Sequence, residues 1–411
     1  MLALLGVILS GCATNSASWN GSSLNPSNWF SRSGDVTQSP DISHIKGPLT
    51  PPEPSPRAPV EVARAPLPPP NAKVKVAILL PLTGPNKDLG QAMQNAAQQA
   101  VFDTADNRFE LMPRDTGAGD AGAEAAARDA IGSGAQLLIG PLFAANIPAV
   151  HAVAQASNIN MLTLSTDTAL ASPGVFVMGF APGAQVERVV NYAAARGLKR
   201  FAALVPNNAY GSLVGRVFQT TVAQSGGSVV AFETYDPARH DSDAHIHALA
   251  AHRDQIDALF LPEGGSDLAL IAGQLAGAGF DNHVMRVIGT GLWDVPDLGK
   301  QAVFLSGGWY AASDPAARQS FVNTYTGTYG TEPPRLATLA YDATALAAVL
   351  AKRNAPFDAA SLTNPNGFAG LDGIFRLNAQ GLVERGLAII EVVPDGTRVI
   401  DAAPKTFAAG G

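Results

Sequence analysis

The sequence predicts an α/β fold in which two doubly wound lobes, each with a parallel sheet, are joined by a hinge. Three observations predict this architecture. From Val74 onward, short apolar runs alternate with Ala-rich amphipathic runs, and a second series of the same kind starts near Pro182. The 411 residues are 46% apolar and 15% charged, a composition typical of chains with a sizeable core. Alternating strands and helices favour parallel strands with right-handed crossovers.

The first series opens with Val74–Leu80, a continuous apolar strand of the kind that is buried on both faces. Its other predicted strands are 109–112, 136–139 and 160–164, and its predicted helices are 91–102, 121–131 and 147–156. The second series has predicted helices at 186–196, 213–225, 243–252 and 268–278, and predicted strands at 200–205, 228–232, 258–261, 284–288 and 303–307. We therefore expect lobe 1 at 73–181 and 313–366, and lobe 2 at 182–312 and 367–405.

The N terminus indicates export. Residues 2–9 are apolar but too few to span a bilayer, and Leu9-Ser10-Gly11-Cys12 follows them. This tetrapeptide resembles the lipobox of bacterial lipoproteins, which implies a signal peptide at 1–11 and a membrane-anchoring lipid on Cys12, the only cysteine. The expected location is the periplasm, and Ala13, by resemblance to enteric lipoproteins, indicates the outer membrane. The alternative is a chance cysteine after an apolar N terminus.

Residues 12–72 predict a disordered tether between the lipid and the lobes. The stretch 47–70 contains ten prolines, and such a segment buries too little surface to offset its ordering entropy. Its reach is about 45 Å as a coil and about 190 Å as extended polyproline II. A ligand for an SH3-type domain is the alternative to a spacer.

Several function classes find no support. The net charge of −7 argues against nucleic-acid binding, and the sequence after residue 12 has no apolar run long enough for a transmembrane helix. No Gly-x-Ser-x-Gly motif occurs, and the glycine-rich stretch 116–122 lacks the Lys-Ser/Thr of a phosphate loop. We expect a protein that is not an enzyme and has no cofactor.

Three motifs occur in order along the α/β part of the chain. They are Val76-Ala77-Ile78-Leu79-Leu80-Pro81-Leu82-Thr83-Gly84, Gly140-Pro141-Leu142 and Asn208-Ala209-Tyr210-Gly211. Together they resemble the type 1 periplasmic-binding fold over residues 74–403, that of the Leu/Ile/Val-binding proteins. The motifs are most similar to those of the penicillin-binding-protein activator lipoproteins, whose Leu-Leu-Pro-Leu-Ser/Thr-Gly pattern and Phe180-Ala181-Pro182-like segment both appear here.

The resemblance implies a ligand between the lobes, held by loops at the carboxyl ends of the strands, as in open α/β sheets generally. The candidate ligand-binding residues on these loops are Thr83, Ser165, Thr166, Tyr210, Glu263, Trp293 and Asp294. Packing within one lobe is the alternative for Tyr210 and for Trp293 with Asp294, and capping of the following turn is the alternative for Ser165 and Thr166.

Alignment with the amino-acid-binding members shows departures, although Tyr210 is kept. In those members a Ser and a Thr contact the ligand carboxylate, and here these positions hold Ala144 and Asp167. The acid that holds the ligand ammonium group corresponds to Gly291, and an aromatic wall residue corresponds to Gly264. These changes disfavour an ordinary branched-chain amino acid, because an acid would face its carboxylate and its ammonium group would lack a partner. Asp294 or Glu263 is left to replace the missing acid.

The densest titratable cluster is a group of four histidines. It comprises His240, His245, His247 and His252. On a helix, His245 and His252 share a face, as metal ligands do. The preferred interpretation is a solvated helix face, and no metal site is assigned.

Two functions remain open. The first is a lipid-anchored, non-catalytic regulator of peptidoglycan synthases, because a long tether from the outer membrane suits that role. The second is a solute receptor that delivers a small amino-acid-like ligand to an ABC permease.

Overall fold

The computed structural model describes residues 72–117 and 119–407. Cys12, the predicted signal peptide and the predicted tether up to residue 71 therefore lie outside the described residues. Among the helices of the part that is described, none combines the length and the apolar character needed to cross a bilayer.

A five-stranded parallel sheet forms the centre of lobe 1. Its strands are β1 (Val74–Leu80), β2 (Phe109–Asp115), β3 (Leu137–Ile139), β4 (Met161–Thr163) and β5 (Val175–Val177), in the order β2-β1-β3-β4-β5. Three helices connect them: α1 (Lys87–Thr104), α2 (Asp120–Gly132) and α3 (Ile147–Ala156). The last five residues of β1 are fully buried, which confirms the prediction of a strand covered on both faces.

The parallel part of the second sheet forms the centre of lobe 2. Its strands are β6 (Arg200–Pro206), β7 (Ser228–Tyr235), β8 (Ala258–Phe260), β9 (Arg286–Gly289) and β10 (Trp309–Ala312). Its helices are α4 (Pro182–Ala195), α5 (Ala209–Gln224), α6 (Ser242–Ala250), α7 (Gly265–Gly277) and the short α8 (Leu298–Gln301). Lobe 2 thus repeats the alternation of strands and helices that forms lobe 1.

The chain then returns to lobe 1. Helix α9 (Pro315–Tyr329) packs on α1 through Phe321 and Tyr325. Helix α10 (Ala337–Lys352) is buried over most of its length against α1 and the sheet, because Ala and Leu residues on every side let neighbouring elements approach closely. The short α11 (Ala359–Leu362) follows.

A small antiparallel sheet of three strands closes lobe 1: β11 (Phe368–Gly370), β12 (Gly373–Leu377) and β13 (Val383–Arg385). Phe375, Leu377 and Val383 join the hydrophobic cluster around the five-stranded sheet. This packing differs from the sequence-based boundary, which assigns residues from 367 onward to lobe 2.

Two antiparallel strands, β14 (Ala388–Val393) and β15 (Gly396–Asp401), complete the second sheet in the order β15-β14-β10-β9-β8-β6-β7. The chain therefore passes between the lobes three times, after β5, after β10 and after β13. The expected α/β class with a central sheet in each lobe is confirmed, but the sheet of lobe 2 is mixed because β14 and β15 run antiparallel.

The predicted strand at 303–307 is wrong. Val303–Leu305 is a 3-10 turn with Val303 exposed, and the strand of the sheet begins only at Trp309. The chain turns between them at Gly307, whose φ of 81° lies in the left-handed region. A short apolar run does not by itself distinguish a turn from a strand.

Candidate ligand-binding site

The carboxyl edge of the lobe 2 sheet carries a polar cluster, which we call the Glu263 corner: Tyr210, Tyr235, Glu263 and Thr290. Tyr210 lies in the first turn of α5, which begins where the Asn208 side chain accepts a hydrogen bond from the Gly211 amide at 2.8 Å. Tyr235 is the last residue of β7, and Thr290 follows β9 directly. Parallel strands end at one edge of the sheet, so residues distant in sequence meet there.

Hydrogen bonds fix the side chains of the Glu263 corner. The Tyr210 hydroxyl and Thr290 Oγ1 are 2.8 Å apart. The Tyr235 hydroxyl donates to the Glu263 carboxylate, which also accepts from the Gly264 amide at 2.9 Å. These bonds hold Glu263 in a defined orientation, half-buried at the sheet edge.

The tyrosines of this corner are neutral phenols. Burial raises the pKa of Tyr210 to about 12, and the nearby Glu263 carboxylate adds to the rise while Thr290 opposes it. Burial also raises the pKa of Tyr235, with further increases from Glu263 and Asp267. Both hydroxyls therefore keep their protons near neutral pH, and that of Tyr235 is donated to Glu263.

The candidate residues of lobe 1 mainly organise its loops. Thr83 Oγ1 donates to Asp115 Oδ2 at 2.6 Å, and Asp115 Oδ1 accepts from the amides of Leu82, Thr83 and Gly117. Burial alone would raise the pKa of Asp115, but these hydrogen bonds lower it. The hydroxyl of Thr83 is thus committed to holding the loop after β1.

The loop after β4 presents one exposed hydroxyl. Ser165 is 6% exposed, and its Oγ accepts from the Asp167 amide at 3.1 Å. Asp167 in turn caps the turn Thr168–Leu170 by accepting from the Ala169 amide at 3.0 Å. Thr166 is exposed, and its hydroxyl makes no hydrogen bond within the described part of the chain. Of the two candidate hydroxyls on this loop, it is therefore the one that solvent reaches.

Trp293 and Asp294 do not join the Glu263 corner. Trp293 is 0% exposed and packs in the lobe 2 core at a ring-centroid distance of 6.1 Å from Tyr310. Asp294 forms ion pairs with Arg318 at 2.9 Å and with Arg335 at 3.3 Å. A carboxylate held by two guanidinium groups is not free to receive a ligand ammonium group, whereas Glu263 accepts hydrogen bonds from the neutral groups of Tyr235 and Gly264.

The histidines lie on the surface of lobe 2. His245 Nδ1 lies 2.9 Å from the Glu233 carboxylate, and His247 Nε2 lies 3.6 Å from Asp243. Within the described ranges, no group of three or more potential ligands is placed to hold a metal ion.

Sequence reasoning missed Tyr235, Thr290, Arg318 and Arg335. Tyr235 and Thr290 could have been predicted, because each stands at the carboxyl end of a strand of the same sheet. The arginines could not, since neither lies on a loop that follows a strand.

Comparison with known proteins agrees with this architecture. Residues 73–396 match the family model described as "Periplasmic binding protein". The chain belongs to the periplasmic binding protein family. As expected from the sequence motifs, its fold is the type 1 fold of the Leu/Ile/Val-binding-like members.

Solved structures show which folds this periplasmic binding protein resembles. A branched-chain amino acid ABC transporter periplasmic ligand-binding protein from Burkholderia xenovorans matches with a TM-score of 0.67 and 16% identity, over 82% of this chain and 97% of that one. A branched-chain amino acid transporter substrate-binding protein from Streptococcus pneumoniae, in complex with isoleucine, matches with a TM-score of 0.57 and 20% identity, over 80% and 99% of the two chains. At these identities the likeness establishes the fold alone.

Two further relatives widen the comparison. A solute-binding protein of an ABC transporter from Rhodopseudomonas palustris, in complex with 3,4-dihydroxybenzoic acid, has a TM-score of 0.60 and 20% identity, over 80% of this chain and 96% of that one. An uncharacterized protein of Rickettsia prowazekii is 24% identical over 223 residues, which is 52% of this chain. The alignment spans only 60% of that relative.

Proposed function

We propose that this protein is a solute receptor that binds a small molecule with an ammonium group at the Glu263 corner and delivers it to an ABC permease. The observation that carries the proposal is the state of Glu263. Its carboxylate is half-buried, accepts hydrogen bonds from Tyr235 and Gly264, and takes part in none of the ion pairs between described residues.

A partly desolvated carboxylate without a cation is electrostatically incomplete. An ammonium group of a ligand would supply both the missing charge and three hydrogen-bond donors. The partly exposed ring of Tyr210 beside it is a suitable surface for a cation, whereas the ring of Tyr235 is buried in the lobe 2 core. The exposed hydroxyl of Thr166 is the corresponding polar candidate on lobe 1.

The test is a thermal-shift and calorimetric screen of the purified protein with amino acids, their amides and simple amines. A true ligand at a hundred times its Kd should stabilise the folded state by about 2.7 kcal/mol. Glu263→Gln should abolish that stabilisation. Glu332→Gln is the matched control, since Glu332 is an exposed glutamate of lobe 1. Equal binding by both variants would contradict the role of Glu263.

A second candidate function is regulation of peptidoglycan synthases, as in the activator lipoproteins that the sequence resembles. The observation that favours it is the internal use of polar groups around the expected site: Asp294 is occupied by arginines, and the Gly291 amide donates to Gln185 Oε1 at 2.8 Å. This candidate predicts no stabilising ligand in the screen. It also predicts a change in the glycan polymerisation rate when the protein is added to a purified synthase.

We also propose that Cys12 carries a lipid that anchors the protein, with the outer membrane as its location. An outer-membrane anchor with a tether long enough to reach inward suits the regulator better, because a solute receptor must visit a permease in the inner membrane. Cys12→Ser should release the protein from the membrane fraction and abolish labelling by a fatty-acid probe. Unchanged fractionation of that variant would contradict the assignment.

A further inference from the structure

Asp294 is a lobe 2 carboxylate bound by two arginines of lobe 1. Its Oδ1 accepts from Arg318 Nη2 at 3.2 Å, and its Oδ2 lies 2.9 Å from Arg318 Nη1 and 3.3 Å from Arg335 Nε. The side chain of Asp294 is only 10% exposed, and that of Arg318 is 18% exposed. Ion pairs with this degree of burial are screened less by salt than surface pairs.

The two sides of this contact belong firmly to different lobes. Asp294 directly follows Trp293, which is embedded in the lobe 2 core. Arg318 lies on α9, which is held to α1 by hydrogen bonds of 3.3 Å from Tyr325 to the Ala92 carbonyl and from Tyr329 to the Asn95 carbonyl. Of the ion pairs between described residues, only those of Asp294 join the lobes.

Arg335 is fixed on the lobe 1 side by other contacts. Its Nη2 lies 2.8 Å from Oδ1 of Asp372, a carboxylate with no exposed surface, and its Nη1 donates to Thr338 Oγ1 at 2.9 Å. Its guanidinium also stacks 4.2 Å from the ring centroid of Phe180, in the first segment that crosses between the lobes. Arg335 is therefore held in place whether or not Asp294 is present.

A similar set of contacts surrounds Arg385, at the end of β13, where the chain passes between the lobes for the third time. Arg385 Nη1 lies 3.3 Å from the buried Asp342, its Nη2 donates to the Met178 carbonyl at 3.0 Å, and its guanidinium lies 5.4 Å from the Phe180 ring centroid. Three carboxylates and three guanidinium groups thus balance in charge where the chain passes between the lobes. Asp294 is the single lobe 2 member of this set.

We infer that Asp294, Arg318 and Arg335 form an interlobe latch that biases the protein toward the lobe arrangement described here. Separation of the lobes would leave Arg318 without a carboxylate, while Arg335 would keep Asp372. The latch therefore favours one arrangement without preventing the other. It acts with or without a ligand, so the inference does not depend on the proposed function.

The test is an interlobe distance measurement by pulsed electron paramagnetic resonance on the full chain with Cys12→Ser. Spin labels would be placed on Gln98 of α1 and Thr220 of α5, which are exposed helix positions in lobes 1 and 2. Asp294→Asn should raise the ratio of separated to joined lobes by roughly tenfold, a usual size for coupling between two states. Arg318→Gln should shift it in the same direction.

The matched control is Asp297→Asn. Asp297 is an acid of the same loop region whose ion pair, 2.8 Å from Lys300, stays within lobe 2. Its distance distribution should equal that of the parent protein. Circular dichroism of each variant verifies folding. A folded Asp294→Asn or Arg318→Gln variant with an unchanged distance distribution would overturn the latch.

Discussion

The hydroxyl of Tyr210 lies 2.8 Å from Oγ1 of Thr290, and this contact links the start of α5 to the end of β9 across the lobe 2 sheet edge. Thr290 has no exposed surface, so its hydroxyl depends on protein partners. The contact also sets the position of the Tyr210 ring beside Glu263.

Tyr210→Phe should therefore lower the free energy of unfolding by about 1 kcal/mol, because a buried hydroxyl loses its partner. Urea denaturation at neutral pH measures the change. Tyr192→Phe is the control, since the Tyr192 hydroxyl has no hydrogen-bond partner within the described part, and its effect should stay within about 0.5 kcal/mol. Equal stability of the Tyr210 variant and the parent protein would show that the contact is not formed in solution.

Asp115→Ala should loosen the loop after β1. Three backbone amides, those of Leu82, Thr83 and Gly117, would lose their shared acceptor. Hydrogen exchange at these amides should accelerate, while the amides inside β1 stay protected. Glu124→Gln, which affects only a pair on the surface of α2, should leave the loop unchanged. Unaltered exchange in Asp115→Ala would contradict this role.

Asp342 should make stability depend on pH. Burial raises its pKa from 3.8 to about 6, with Arg385 opposing the rise and Asp372 adding to it. An acid whose pKa is raised on folding stabilises the folded state below its unfolded pKa, and that contribution is lost as the pH rises. Stability contributed by Asp342 should thus decline between about pH 4 and about pH 6, by at most about 3 kcal/mol.

Asp372 acts in the opposite direction. Burial alone would raise its pKa, but Arg335, Arg385 and Thr338 lower it, so its contribution is lost only below about pH 4. Asp342→Asn should consequently reduce the change of the melting temperature with pH between pH 4 and pH 6. Asp395→Asn, at an exposed position, should follow the parent profile. A parent-like profile in Asp342→Asn would exclude Asp342 as the titrating group.

Gly289 provides a test of the Trp293 assignment to the core. A Cβ at this position would lie 2.2 Å from Cε2 of Trp293, so Gly289→Ala should destabilise the protein by about 1–3 kcal/mol through overpacking. Gly273→Ala, in the middle of α7 with open space around it, should instead stabilise by about 1 kcal/mol. Chemical denaturation of both variants measures these changes in the free energy of unfolding. An unchanged stability of Gly289→Ala would show that the Trp293 indole does not pack against Gly289.

The sequence by itself determined the secondary structure of both lobes to a large extent. Helix α3 was predicted with its observed bounds, and β1 likewise, since each has a strong local pattern of apolar residues. Strand β5 was missed, although the equally short β3 and β4 were predicted, because no α-helix separates it from β4 and it breaks the alternation of strands and helices. The turn at Val303–Leu305 was mistaken for a strand because a short apolar run fits both.

Only the tertiary structure decided which acid at the lobe 2 sheet edge is available. Glu263 and Asp294 look equivalent in sequence, because both follow strands of one parallel sheet. Asp294 meets arginines 24 and 41 residues further along the chain, whereas Glu263 meets a tyrosine 28 residues before it. Charge pairing depends on distances in space, and helices α9 and α10, returning to lobe 1, bring those arginines to Asp294.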